Sequence, residues 1–120
     1  MKTKINILIC TTLLIVLPGK LFAQEKSKDV KTDEFEVQGV CGMCKERIEN
    51  AALIKGVKLA EWNRETGILK VIYKPSKVNL ISIHKSVAKA GHETNKEKAN
   101  KEAYKNLPAC CKYKDGIKKH

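Results

Sequence analysis

Glu34-Phe35-Glu36-Val37-Gln38-Gly39-Val40-Cys41-Gly42-Met43-Cys44-Lys45-Glu46-Arg47-Ile48-Glu49-Asn50-Ala51-Ala52 changes period in its middle, and that change decides the fold. As far as Gln38, polar and apolar residues alternate at the strand period of two; beyond it Cys44, Ile48, Ala51 and Ala52 recur at helical spacing. The Cys-x-x-Cys of Cys41 and Cys44 therefore lies at a strand-to-helix junction. The first turn of a helix carries unpaired backbone N–H groups and a partial positive charge, which favour thiolate over thiol. A thiolate is both a ligand and a nucleophile. The two-residue gap lets both sulfurs converge on one soft ion, and it equally suits a reversible disulfide, so spacing leaves both chemistries open.

Outward from this stretch, Lys55-Gly56 is a helix stop, and the pattern then returns to strand. Two β-prone runs, over 57–63 and 68–73, flank Arg64-Glu65-Thr66-Gly67 and predict a hairpin that Pro75 closes. Over 78–90, Leu80, Ile83, Val87 and Ala90 line one face of an amphipathic helix that Gly91 stops. Strand, helix, strand, strand, helix, with right-handed crossovers, predicts an α+β ferredoxin-like split β-α-β sandwich (βαββαβ). In that fold the Cys-x-x-Cys, the hairpin turn and Gly91-His92 all lie at one end. Trp62 and Tyr73, on adjacent strands, are expected in the core, and His84, beside the apolar face of the second helix, as a surface or hydrogen-bonded histidine.

The fourth strand is hard to find. Thr94-Asn95-Lys96-Glu97 is a capping box, and Ala99, Ala103, Tyr104 and Leu107 follow at helical spacing until Pro108, which predicts a helix over 94–107. Ala109-Cys110-Cys111-Lys112-Tyr113 then brings a second thiol pair; this short segment is the missing strand, or the strand is absent. Adjacent cysteines seldom bond to each other because the eight-membered ring strains the peptide, so their partners are the other pair or a metal. At least one of Cys110 and Cys111 is expected near Cys41 or Cys44.

The N-terminus has Lys2 and Lys4, an apolar run over 5–17, a Pro18-Gly19 break and a small residue at Ala23, the pattern of a secretory signal peptide over 1–23. The run has 13 residues, whereas a bilayer span needs about 20. Contact with a membrane is therefore expected only through the signal sequence before cleavage, and the chain is expected to be periplasmic or secreted. Cleavage lowers the formal charge from +11 to +8 and the cysteines from 5 to 4 by removing Lys2, Lys4, Lys20 and Cys10. Residues 24–32 read as a disordered leader, 33–95 as one small domain, and 96–120 as a C-terminal extension carrying Cys110 and Cys111. Lysines are spread along the whole chain with few aromatics, which argues against a nucleic-acid partner. No phosphate loop and no serine, histidine and acid set supports hydrolytic catalysis, and no enzyme activity is expected.

In this order and spacing, Val37-Gln38-Gly39, Cys41-x-x-Cys44 with Lys45-Glu46-Arg47-Ile48-Glu49, Gly56-Val57, Asn63 with Thr66-Gly67, Val71-Ile72-Tyr73-Lys74-Pro75 and Ala90-Gly91-His92 resemble a heavy-metal-associated domain. The resemblance covers residues 33 to about 95. It implies a soft ion held by Cys41 and Cys44, Cu(I) foremost, with Zn(II), Cd(II) or Hg(II) also accepted by sulfur. It further implies handover by thiolate exchange to a metal-transporting ATPase or another metal-handling protein through transient docking, as in exported copper- or mercury-handling members. His92 occupies a place that approaches the metal loop in such proteins, which makes it a candidate ligand or ligand support. The sequence departs from the family in having Gly39 where a methionine usually stands two residues before the first cysteine. Met43 lies instead between the thiols, as a loop residue, core filler or thioether ligand.

Two other functions fit the thiols. One is a redox protein cycling a Cys41–Cys44 disulfide, although the motif lacks the preceding aromatic and internal proline of thioredoxin-like sites. The other is an exported interaction domain stapled by disulfides.

Overall fold

The computed structural model describes residues 29–115, so the expected signal peptide, residues 24–28 of the leader and the last five residues lie outside the described residues. The elements run β1 (Lys31–Glu36), α1 (Gly42–Ala52), β2 (Val57–Trp62), β3 (Ile68–Tyr73), α2 (Leu80–Lys89) and α3 (Lys101–Lys105), followed by single 3-10 turns at Ala109–Cys111 and Tyr113–Asp115. The first strand begins two residues before Asp33, so Lys31 and Thr32 belong to the sheet and not to the leader. Helix α1 ends at Ala52, and Gly56 lies in the turn before β2 rather than at the helix end.

The three strands form an antiparallel sheet in the order β1-β3-β2, with Leu69 of β3 opposite both Phe35 and Trp62. Period-two alternation in β3 buries Leu69, Val71 and Tyr73, which join Phe35 and Trp62 from the neighbouring strands. Ile48 and Ala52 of α1 and Ile83 and Val87 of α2 complete that core, each pair one helical turn apart. This is the α+β ferredoxin-like sandwich. Trp62 and Tyr73 are both in the core without being direct cross-strand partners, and the Tyr73 hydroxyl donates to Asp33 Oδ2 at 2.6 Å.

The fourth strand has shrunk to one bridge, Val37 to Thr94, on the free edge of β1. Gln38 N donates to the Glu93 carbonyl at 2.9 Å beside it. The helix expected over 94–107 is only α3, because the capping box closes as a turn: Thr94 Oγ1 accepts from Lys96 N and Glu97 N at 3.2 and 3.0 Å. The helical start falls to Asn100, whose Oδ1 accepts from Ala103 N at 2.9 Å.

The extension belongs to the domain's core. Leu107 and Cys111 are buried with the residues of the sandwich. Gly91, in the left-handed region at φ 102°, lets the extension cross close to the end of α2, since a Cβ there would meet the backbone of Ala103 and Tyr104 at 3.1 Å. Asn100 N donates to the Ala88 carbonyl at 2.9 Å. The Tyr113 hydroxyl donates to the Gly91 carbonyl at 2.7 Å and accepts from Glu93 N at 3.0 Å.

His84 is fully buried, stacked on Phe35 at 3.7 Å, with Nδ1 2.7 Å from Thr94 Oγ1. Because that oxygen already accepts two N–H bonds, its proton is assigned to the bond with Nδ1, which fixes the neutral tautomer. Burial, reinforced by Lys96 and opposed by Glu97, holds the ring below its usual pKa of 6.5. A histidine whose folded pKa is depressed binds its proton more readily when unfolded, so its contribution is intact above 6.5 and is lost as pH falls through the folded value. Denaturant unfolding of the metal-free protein is therefore expected to show stability declining as pH drops below about 6.5, a decline that His84→Gln reduces; a His84→Gln profile superimposable on wild type would contradict this.

Candidate metal centre

Cys41 is the cap of α1, with extended backbone at φ −136° and ψ −177°, and Cys44 lies in the helix's first turn. This turn places their sulfurs 3.9 Å apart, both side chains buried. The third sulfur comes from the extension. Pro108 turns the chain after Leu107, Cys111 N donates to the Pro108 carbonyl at 2.8 Å, and the 3-10 turn so closed sets Cys111 Sγ 3.9 Å from Cys41 Sγ. Among the described residues, the sulfurs of Cys41, Cys44 and Cys111 form a group whose members all lie within 4.8 Å of one another.

The other expected site residues stand around this group. Cys110 is less buried than Cys111: its sulfur is 4.0 Å from that of Cys111 and 3.5 Å from Met43 Sδ. Met43 is 51% exposed, so it fills no core space and forms with Cys110 a sulfur pair at the surface. His92 is outside the sulfur group. It is completely buried, with Nδ1 2.8 Å from the Gln38 carbonyl, and since a carbonyl only accepts, that nitrogen carries the proton. Its role visible here is to hold the strand end that leads into the thiol loop, and Tyr113 stacks on it at 5.6 Å. Burial, opposed by the Gln38 hydrogen bond and helped by Arg47, keeps the His92 pKa low, so the ring is neutral.

The electrostatics separate the thiols. Burial works against ionisation of Cys41, but the backbone N–H groups of Cys44 and Met43, with the Cys110 and Cys44 thiols, together outweigh it and bring Cys41 below its ordinary value. The Cys41 side chain makes no hydrogen bond within the cap, so these N–H groups act by nearness at the helix start. Burial first, then the neighbouring Cys44 and Cys41 sulfurs, push Cys111 strongly upward. Ionisation is thus favoured at Cys41 and opposed at Cys111.

The loop's support explains the departure at Gly39. A Cβ on Gly39 would stand 2.9 Å from Trp62 Cη2 and 3.1 Å from Ile48 Cδ1, so the indole occupies the volume beneath the loop and a side chain at 39 has no room. Trp62 is fixed on every polar atom: Nε1 donates to the Val37 carbonyl at 3.0 Å, its N–H to Glu49 Oε2 at 2.8 Å, and its carbonyl accepts from Lys45 Nζ at 2.8 Å. Lys45 and Glu49 also pair with each other along α1. The signal for this was present in the sequence as a lone glycine and a lone tryptophan, but only the register of β2 brings the two together.

Three sulfurs with no carboxylate among them form a soft donor set, suited to thiophilic ions and poor for hard ones. The sandwich with thiols on its first strand-to-helix loop defines a class of small metal-handling domain. Residues 34–93 match the heavy-metal-associated domain, and the chain belongs to that family. Among solved structures it is similar to a CopZ metallochaperone (32% identity, TM-score 0.52, covering 53% of this chain and 98% of that one). It is also similar to the N-terminal domain of a potential copper-translocating P-type ATPase from Bacillus subtilis in the Cu(I)-loaded state (28% identity, TM-score 0.51, covering 54% and 84%). Oxidised MerP from Ralstonia metallidurans CH34 shares the fold at 24% identity and a TM-score of 0.52, covering 55% and 94%. No curated protein matches the chain. Cys111 lies beyond the residues that match the family.

Gly39→Ala is expected to destabilise the protein by about 1–3 kcal/mol in denaturant unfolding, the usual cost of overpacking a filled site. A neutral result would show that the indole is not held under the loop.

Proposed function

We propose that this chain is an exported carrier of a soft metal ion, Cu(I) foremost, which binds at Cys41 and Cys44 and passes its cargo to another metal-handling protein by thiolate exchange. The observation that carries this reading is the pair of buried sulfurs 3.9 Å apart at the start of α1, in a group without oxygen donors. Membership of the heavy-metal-associated family supports binding and transfer rather than catalysis. The similarity to a metallochaperone and to a Cu(I)-loaded ATPase domain, both above 25% identity, supports Cu(I) as cargo and a metal-transporting ATPase as the kind of partner. Export rests on the N-terminal pattern alone. In an oxidising compartment, bound metal would also protect the thiols from disulfide formation.

The helix start supplies what capture requires. The first-turn N–H groups hold Cys41 below its ordinary pKa, which favours the thiolate that a soft ion binds, and the ion's own charge favours loss of thiol protons on binding. Met43, exposed beside the pair, offers a thioether at the mouth of the loop. Exchange needs no net chemistry: as one metal–sulfur bond to this chain breaks, one to the partner's thiolate forms.

Cys41→Ser with Cys44→Ser is expected to abolish tight Cu(I) binding in competition with a Cu(I) chelator, while the fold persists by circular dichroism. Wild-type affinity and stoichiometry in the double variant would remove the pair from the site.

A further inference from the structure

We infer that Cys111 is a third ligand to the ion, delivered by the C-terminal extension, and that a partner's thiolate must displace it before the metal can leave. This rests on the Cys41–Cys44 reading above and extends it to a part of the chain outside the family match.

The spacing carries the argument. A metal bound to thiolate at about 2.3 Å in the plane of three sulfurs requires sulfur–sulfur edges of about 4 Å, whereas a linear two-coordinate ion requires about 4.6 Å between its two sulfurs. The observed Cys41–Cys44 and Cys41–Cys111 edges are both 3.9 Å, close to the trigonal spacing, and the third lies within 4.8 Å, so one ion can reach all three sulfurs.

Cys111 is also fixed where it is. It is wholly buried, on a turn closed by its own N–H to the Pro108 carbonyl. On one side Leu107 is anchored in the core, and on the other Tyr113 is tied to Gly91 and Glu93. A tail lying loosely across the loop would not bury a thiol with hydrogen-bonded anchors on both flanks. Its neighbour Cys110, beside Met43, is not among the three sulfurs.

A partner therefore meets a closed centre. In transfer the partner's thiol gives up its proton and its sulfur bonds to the metal as thiolate while the metal–Cys111 bond breaks, the departing Cys111 sulfur taking up a proton in its place. No oxidation occurs and charge balances. Because Cys111 must give way to the incoming sulfur, the extension is an internal competitor of the partner.

The test is X-ray absorption at the copper edge on the full chain loaded with one equivalent of Cu(I) in thiol-free buffer, for wild type, Cys111→Ser, Cys110→Ser and Cys41→Ser/Cys44→Ser. Three sulfurs per copper are expected in wild type and in Cys110→Ser, and two in Cys111→Ser, which should also pass its copper to a dithiol acceptor faster than wild type. Two sulfurs in wild type would overturn the inference while leaving the Cys41–Cys44 reading intact, and this arm needs no variant to fold. An unchanged copper environment in Cys41→Ser/Cys44→Ser would overturn the reading itself. Cys111→Ser that keeps three sulfurs would assign the third ligand elsewhere and also contradict the proposal.

Discussion

The reactive end of this protein depends on one backbone event, the change from extended chain to helix at Cys41. The extended residue ends the approach from β1, and the next residue begins α1, so the N–H groups of Met43 and Cys44 lie near the Cys41 sulfur. That junction holds its shape because the layer beneath is solid. The Trp62 indole fills the space under Gly39, and its N–H is bonded to the carbonyl of Val37, the residue that also bridges to Thr94. The thiol loop, the sheet edge and the first helix are thereby joined through a single aromatic side chain.

Much of this was legible in the sequence. Period-two and helical patterns over long segments place β2, β3 and α2 within a residue or two of their observed bounds, because burial on one face enforces those patterns. The topology then brings the Cys-x-x-Cys and Gly91-His92 to one end. The errors lie where a local signal is satisfied in a different way. Thr94 makes the hydrogen bonds of a capping box, yet its hydroxyl also meets buried His84 and its backbone bridges Val37, so tertiary contacts turn a helix start into a strand remnant. Cys110 and Cys111 could not be told apart by adjacency, since a 3-10 turn has no apolar period to mark its inner face. The turn resolves them by burying one sulfur and leaving its neighbour against Met43. His92 lies at the expected end, but the hydrogen bond it makes is to backbone, a partner that sequence does not display.

The chemistry follows from softness and enclosure. Hard ions prefer oxygen and keep their water, and the sulfur group offers neither carboxylate nor a wet cavity. The extension adds to enclosure, since Leu107 and Tyr113 fasten it across the end where His92 and the thiol loop lie. A carrier must hold its ion firmly yet release it to the right partner, and the third ligand proposed above, on a segment separate from the first helix, would serve both requirements without altering that helix.

The most direct measurement is native mass spectrometry of the intact protein isolated from its source cells, with metal analysis and a thiol count on the same sample. The account predicts one copper ion per chain with Cys41, Cys44, Cys110 and Cys111 all reduced. A metal-free chain carrying a Cys41–Cys44 disulfide would contradict it and would make the thiols a redox couple instead.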